Sequence, residues 1–189
     1  NWFDIASEWS PSILDQTQRY IMNAVYELPF YKNRSGAAAK LLGGWQIGGI
    51  WMGMSGGPLG INSAVNNTFS QGGGQRPNWN GQNACVADPT PNRWLDSSVF
   101  SSPATYAFGT TPRTFNGCRN DGTSQVDLTL TKNTRFRERF NLQFRAEMFN
   151  VSNTPRFSPP NAGFGNPQFG TVTAQSNLPR IVQFGLKLI

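Results

Sequence analysis

The sequence contains no histidine among its 189 residues. That removes the commonest metal ligand and the side chain most often used as a general base. The ten carboxylates do not make up the loss, since none falls into a calcium-loop pattern. One stretch has a catalytic look: Gly53-Met54-Ser55-Gly56-Gly57 matches the G-x-S-x-G nucleophile elbow. Ser55, however, has no histidine to take its proton, and Pro58 follows where the elbow needs a helix. A hydrolase at Ser55 is the remote reading, and a serine at a strand end is the near one. No enzyme activity, no metal and no cofactor are expected.

Charge is also scarce. Asp, Glu, Lys and Arg make up 14% of the chain, against about 25% in ordinary globular domains. The net charge is +6, but the basic residues are scattered. Their one local cluster, Arg135, Arg137 and Arg139, is thin beside the dense patch of a nucleic-acid binder. It reads as strand-end or turn charge, and nucleic acid is not an expected partner. The Gly-rich run Gln71–Pro77 lacks the Lys-Ser/Thr of a phosphate loop and reads as loose coil.

Long apolar runs are missing. The longest, Leu41–Met54, holds five glycines and falls short of the roughly 20 residues of a spanning helix. A signal peptide is missing too, and the chain starts at Asn1 without Met, so a processed product or a piece of something longer is expected. Cysteine is limited to Cys85 and Cys118. Paired, they close a loop of about 34 residues, a stabilisation of roughly 3–4 kcal/mol on the chain-entropy model. That requires an oxidising compartment. Two unrelated thiols are the alternative.

What the sequence has is aromatics, at 13%, with 20 Gly and 13 Pro. This composition suits strands and turns. Four segments alternate with the period of a strand that has one apolar and one polar face. Tyr20, Met22, Ala24 and Tyr26 oppose Arg19, Asn23 and Glu27. Val126, Leu128 and Leu130 oppose Gln125, Asp127 and Thr129. Phe140, Leu142, Phe144, Ala146 and Met148 oppose Asn141, Gln143, Arg145 and Glu147. Val182, Phe184, Leu186 and Leu188 oppose Gln183, Gly185 and Lys187. A fifth segment, carrying Trp45, Ile47 and Trp51, alternates more weakly because glycines interrupt it.

Strands are therefore expected at about 17–28, 39–55, 124–136, 139–150 and 180–189, within a single segment spanning 1–189. Short turns alternate with long loops, about 56–123 and 151–179. Such long aperiodic stretches are uncommon; the first is a functional loop or hides short ribbons. The expected fold is all-β, an antiparallel meander of long strands with short turns at one end and long loops at the other. That rhythm belongs to outer-membrane barrels, whose strands are apolar toward lipid and polar inward. A soluble sandwich also alternates, but it rarely needs two long, uneven loops on one side.

Several segments resemble the C-terminal part of an Oar-like TonB-dependent receptor of the Acidobacteria type. They are "AVYELPF" with "LLGGWQIGGIWMGMSGGPL", then "QRPNWNG", "RWLDSSVFSSPATYAFGTTPR", "QVDLTLTKNTRFRERFNLQFRAEMFNVSNTPRF" and "NPQFGTVTAQSNLPRIVQFGLKLI". The resemblance spans nearly the whole chain. It implies the last five strands of a plugged barrel of about 22 strands, in the bacterial outer membrane, with the C-terminus on the periplasmic side and both long loops at the cell surface. It implies as partners the rest of the barrel and its plug, the TonB system through an N-terminal part, and outer-membrane lipid. Two departures stand out. Plug and TonB box are not in these residues, and the chain stops at Ile189 where such barrels commonly end in an aromatic residue.

Within that frame Asp127, Arg145 and Glu147 are candidates for a polar face turned to the lumen, either as an ordinary ion-pair ladder or as a wall that substrate passes. Arg76, Trp79, Arg93 and Trp94 lie in the long outer loop and are candidate ligand contacts, since Trp and Arg favour binding surfaces. Equally, the tryptophans pack the loop onto itself. The rival function is structural: a β-rich subunit or fragment that assembles through open strand edges into a filament or oligomer.

Overall fold

The computed structural model of the chain describes residues 4–31, 36–69, 74–136 and 140–189. Its elements, in order, are β1 (Arg19–Glu27), α1 (Ala37–Leu42), β2 (Trp45–Met54), β3 (Asn62–Ser63), β4 (Asn78–Trp79), β5 (Cys85–Thr90), β6 (Arg93–Leu95), β7 (Phe100–Ser101), β8 (Thr123–Phe136), β9 (Phe140–Phe149), β10 (Gly163–Phe164) and β11 (Ile181–Leu188), with 3-10 turns at Ala6–Glu8 and Ser97–Val99. The chain divides into two compact units. One comprises residues 18–54, 123–155 and 177–189, and the other 1–17, 55–122 and 156–176.

The first unit is an antiparallel sheet ordered β1-β2-β8-β9-β11. Each strand pairs with the next in sequence among the long ones, with no crossover, as the short turns require. The barrel is not closed: β1 and β11 are the two outer strands. The strand expected at 39–55 begins instead as a helix. Ala37-Ala38-Ala39-Lys40-Leu41-Leu42 is made of good helix formers, and β2 starts only at Trp45. The junction between them is Gly44, at φ +74°. A Cβ there would come within 2.3 Å of the Asn133 carbonyl oxygen, so glycine is needed for both conformation and approach. The polar turn read at Arg137–Arg139, with two of the three clustered arginines, lies outside the described residues, as does residues 32–35 of the first short turn.

The second unit is built from the stretches expected to be long loops. They hold three short ribbons: β3 with β10 in parallel, β4 with β7, and β5 with β6. Cys85 and Cys118 form a disulfide with Cα atoms 5.1 Å apart. Around it lies a true core of Leu59, Ile61, Trp94, Leu95, Val99, Phe100 and Phe115. Phe100 makes ring contacts with Phe115, Phe164 and Phe169 at 6.0, 5.9 and 5.7 Å between centroids. Segments without periodicity thus bury their aromatics against one another and not against a sheet face.

Candidate functional site: a two-faced sheet and a disulfide-bonded unit

Strand register decides which side chains share a face, because neighbours across a ladder point the same way. Ile47 pairs with Leu130 and Trp51 with Val126; Leu128 pairs with Met148, and Leu130 with Ala146; Val182 pairs with Met148, and Leu186 with Phe144. With Tyr20, Met22 and Tyr26 of β1, these make one continuous apolar face. Phe184, stacked on Phe144 at 6.1 Å, remains 73% exposed, and Leu186 69%. From Phe140 to Met148 the face runs about 27 Å along β9, or about 21 Å across a bilayer at a tilt near 40°. Tyr20 and Trp51 stand toward the long-loop end; Tyr26, Trp45, Phe136 and Phe140 stand toward the short-turn end. Gly53 gives the Trp51 ring its room: a Cβ on Gly53 would sit 3.0 Å from that ring. The indole N–H donates to Ser124 Oγ at 3.3 Å.

The opposite face is polar over β8, β9 and β11. Thr129 pairs with Glu147, Thr131 with Arg145 and Asn133 with Gln143; Gln183 pairs with Glu147. Arg145 makes an ion pair with Glu147 at 3.4 Å and donates to Gln143 Oε1. Gln183 donates to Glu147 Oε2. Asp127 shares this face but not this network. It accepts the Asn150 backbone N–H at 2.8 Å and both its oxygens accept from the Gln125 amide. Asn150, buried at φ +49°, donates its own amide to the carbonyls of Thr154 and Leu178. So Arg145 and Glu147 form a ladder, while Asp127 fastens the long-loop end of β9. The face is less polar toward β1, where Ile21, Val25, Ile50 and Met52 share it with Asn23 and Glu27.

The four candidate ligand contacts are not gathered into one surface. Trp94 is 7% exposed in the core, its indole donating to the Arg119 carbonyl. Trp79 packs edge-on against Phe115 at 5.2 Å and donates to the Gln82 carbonyl. Arg76 is half-buried in an ion pair with Glu8. Of the four, Arg93 is exposed. Both tryptophans make packing contacts within this unit. A groove does form elsewhere in this unit, lined by Trp9, Pro11, Trp79, Gln82, Phe115 and Asn116. Trp9 is 92% exposed there. Ser55 continues β2 into extended chain toward Pro58, and its carbonyl accepts from the Gln16 amide at 3.5 Å.

A family model for an outer membrane β-barrel domain matches residues 1–183. The chain belongs to the outer membrane β-barrel domain family. No curated protein and no solved structure matches it. Membership in this barrel family gives the two-faced sheet its role: a section of barrel wall in the outer membrane. It also explains why an apolar face of this size is left uncovered, since exposed apolar patches on water-soluble chains rarely exceed a few hundred Å².

Proposed function

We propose that this barrel domain is the wall of an Oar-like TonB-dependent receptor, a transporter and not an enzyme. Its apolar face meets outer-membrane lipid, its Arg145–Glu147 ladder faces the lumen with Asp127 at the loop end of the same face, and its disulfide-bonded unit is the ligand-facing surface outside the cell. The observation that carries the reading is the folding of the two long connections into a unit with its own core and disulfide, which a plain structural wall does not need. The sequence resemblance supports the same reading. The groove beside Trp9 and Trp79 supplies the amphipathic aromatic surface favoured in recognition. Plug, remaining strands and TonB contact belong to sequence outside these residues. The test is capture: the complete receptor, purified from outer membranes, should be retained by an immobilised periplasmic domain of TonB. A complete barrel that is not retained overturns the receptor reading and leaves the wall.

A second reading rests on the open edges of β1 and β11. Unpaired strand edges template further strands, and a β-rich species assembling through them into a filament or oligomer is the structural alternative. It predicts chains of 20.9 kDa outside the membrane, associated only through non-covalent contacts.

A further inference from the structure

Among the described residues at the short-turn end of the sheet, Lys40, Lys132, Arg135 and Lys187 stand against Glu27.

One of these cations breaks the pattern of the sheet. Lys132 pairs in register with Trp45 and Phe144, which places it on the apolar face. Its ammonium donates to the Gly43 carbonyl at 2.7 Å and lies 5.1 Å from the centre of the Trp45 ring, within cation–π range. Among the described residues it has no acidic partner. An ammonium has three N–H groups, so two are left for an acceptor. Gly43 ends α1, which carries Leu41 and Leu42, 69% and 49% exposed, and Lys40, which lines a pocket with Gly43, Gly44 and Trp45. Trp45 is fixed to that helix by an indole N–H bond to the Leu41 carbonyl at 3.2 Å.

We propose that Lys132, Lys40 and Trp45 form a binding site for the phosphate of an anionic phospholipid headgroup at the short-turn end of the wall. The occupant carries acyl chains, because the site is continuous with the apolar face and flanked by two exposed leucines. A soluble phosphate would leave those leucines uncovered. Its phosphate takes the free N–H groups of Lys132 and the ammonium of Lys40, the Trp45 ring lies at headgroup depth as aromatic belts do, and the surrounding excess of positive charge selects anionic over zwitterionic lipid.

The inference rests on the wall role and not on transport. The test uses the complete barrel reconstituted into vesicles of equal parts phosphatidylcholine and phosphatidylglycerol, with native mass spectrometry counting the lipids retained after extraction. Wild type should retain phosphatidylglycerol preferentially. Lys40→Gln with Lys132→Gln should lower that preference by roughly 25-fold, at about fivefold per charge near an anionic surface. Arg93→Gln, in the other unit, should leave it unchanged, and Lys132→Arg should keep most of it. At matched ionic strength inorganic phosphate should strip no more lipid than chloride does. Equal retention of the two lipids, an unaltered preference in the double variant, or selective stripping by phosphate would each overturn the site. If Lys132→Gln fails to insert, Lys40→Gln alone decides, because Lys40 is exposed on α1. Failure of wild type to float with the vesicles would instead overturn the wall role.

Discussion

At the scale of single residues, the two cysteines and one aspartate show what sequence could and could not reveal. Cys85 and Cys118 were legible as a pair because nothing else competed for them. What they hold together was not: a core whose members, Leu59 to Phe115, come from stretches with no period at all. Replacing both by Ser should cost the second unit about 3–4 kcal/mol on the chain-entropy model. Limited proteolysis should then cut within 55–122 while the sheet segments stay resistant; unchanged resistance throughout would show that the aromatic core suffices without the bond. Asp96 was not singled out by sequence, since a lone Asp before two serines is common. In the fold its carboxylate accepts the Ser98 backbone N–H at 3.0 Å and the Ser98 hydroxyl at 2.7 Å, capping the turn Ser97–Val99. These bonds, from the Ser98 hydroxyl first and its backbone N–H second, hold the Asp96 pKa below the ordinary aspartate value. A depressed folded pKa means stability that is fully present above the unfolded value of about 3.9 and lost as pH falls through the folded one. Asp96→Ala should therefore destabilise this unit by about 1 kcal/mol near neutral pH. The gap between wild type and variant in urea unfolding should close below about pH 3.9; a gap that persists in acid would mean the side chain matters for packing and not for its charge.

At the scale of elements, alternation carried most of the information. The strands read around Tyr20–Tyr26, Val126–Leu130, Phe140–Met148 and Val182–Leu188 lie in one antiparallel sheet with their apolar parities on one face. Period-2 patterning survives because a one-residue slip would turn every side chain to the other face. It failed where local propensity took over, in the Ala-Lys-Leu helix read as strand. It also failed to show that Asp127 and Arg145 do different things, because a common parity says nothing about which partner lies within reach. Nor could parity reveal Lys132 as an exception, since the apolar face is defined only once β2 and β8 are paired. The two faces make opposite predictions for the same kind of change. Phe184→Arg, midway along the apolar face, should weaken the inserted barrel by about 2–4 kcal/mol. Gln183→Arg, one residue away and beside Glu147, should change it by less than about 1 kcal/mol. Urea unfolding of both variants in bilayers checks this, and equal costs would mean the faces are not lipid and interior.

At the scale of the whole molecule, strand direction constrains what can complete the wall. Every neighbouring pair in β1-β2-β8-β9-β11 is antiparallel, so with five strands β1 and β11 run the same way. Copies of this sheet arranged in a ring with one orientation would set β11 of each against β1 of the next in parallel. Bacterial outer-membrane barrels are antiparallel with an even strand count and at least about eight strands. An antiparallel closure therefore needs an odd number of further strands between the two edges, at least about three. Those strands must come from sequence beyond this sheet, and backbone groups at the edges cannot be left bare in lipid. In outer membranes, then, these peptides should belong to a species much heavier than 20.9 kDa. Hydrogen exchange should find the outward-pointing amides of 19–27 and 181–188 as protected as those of β8. The filament alternative is not bound by parity, because stacked edges accept parallel pairing. It predicts a species built only of 20.9-kDa chains outside the membrane, with β1 and β11 amides protected only at concentrations where it assembles. Intact mass measured on separated membrane and soluble fractions divides the two, and a 20.9-kDa chain free of lipid would reduce the transport reading to a statement about ancestry.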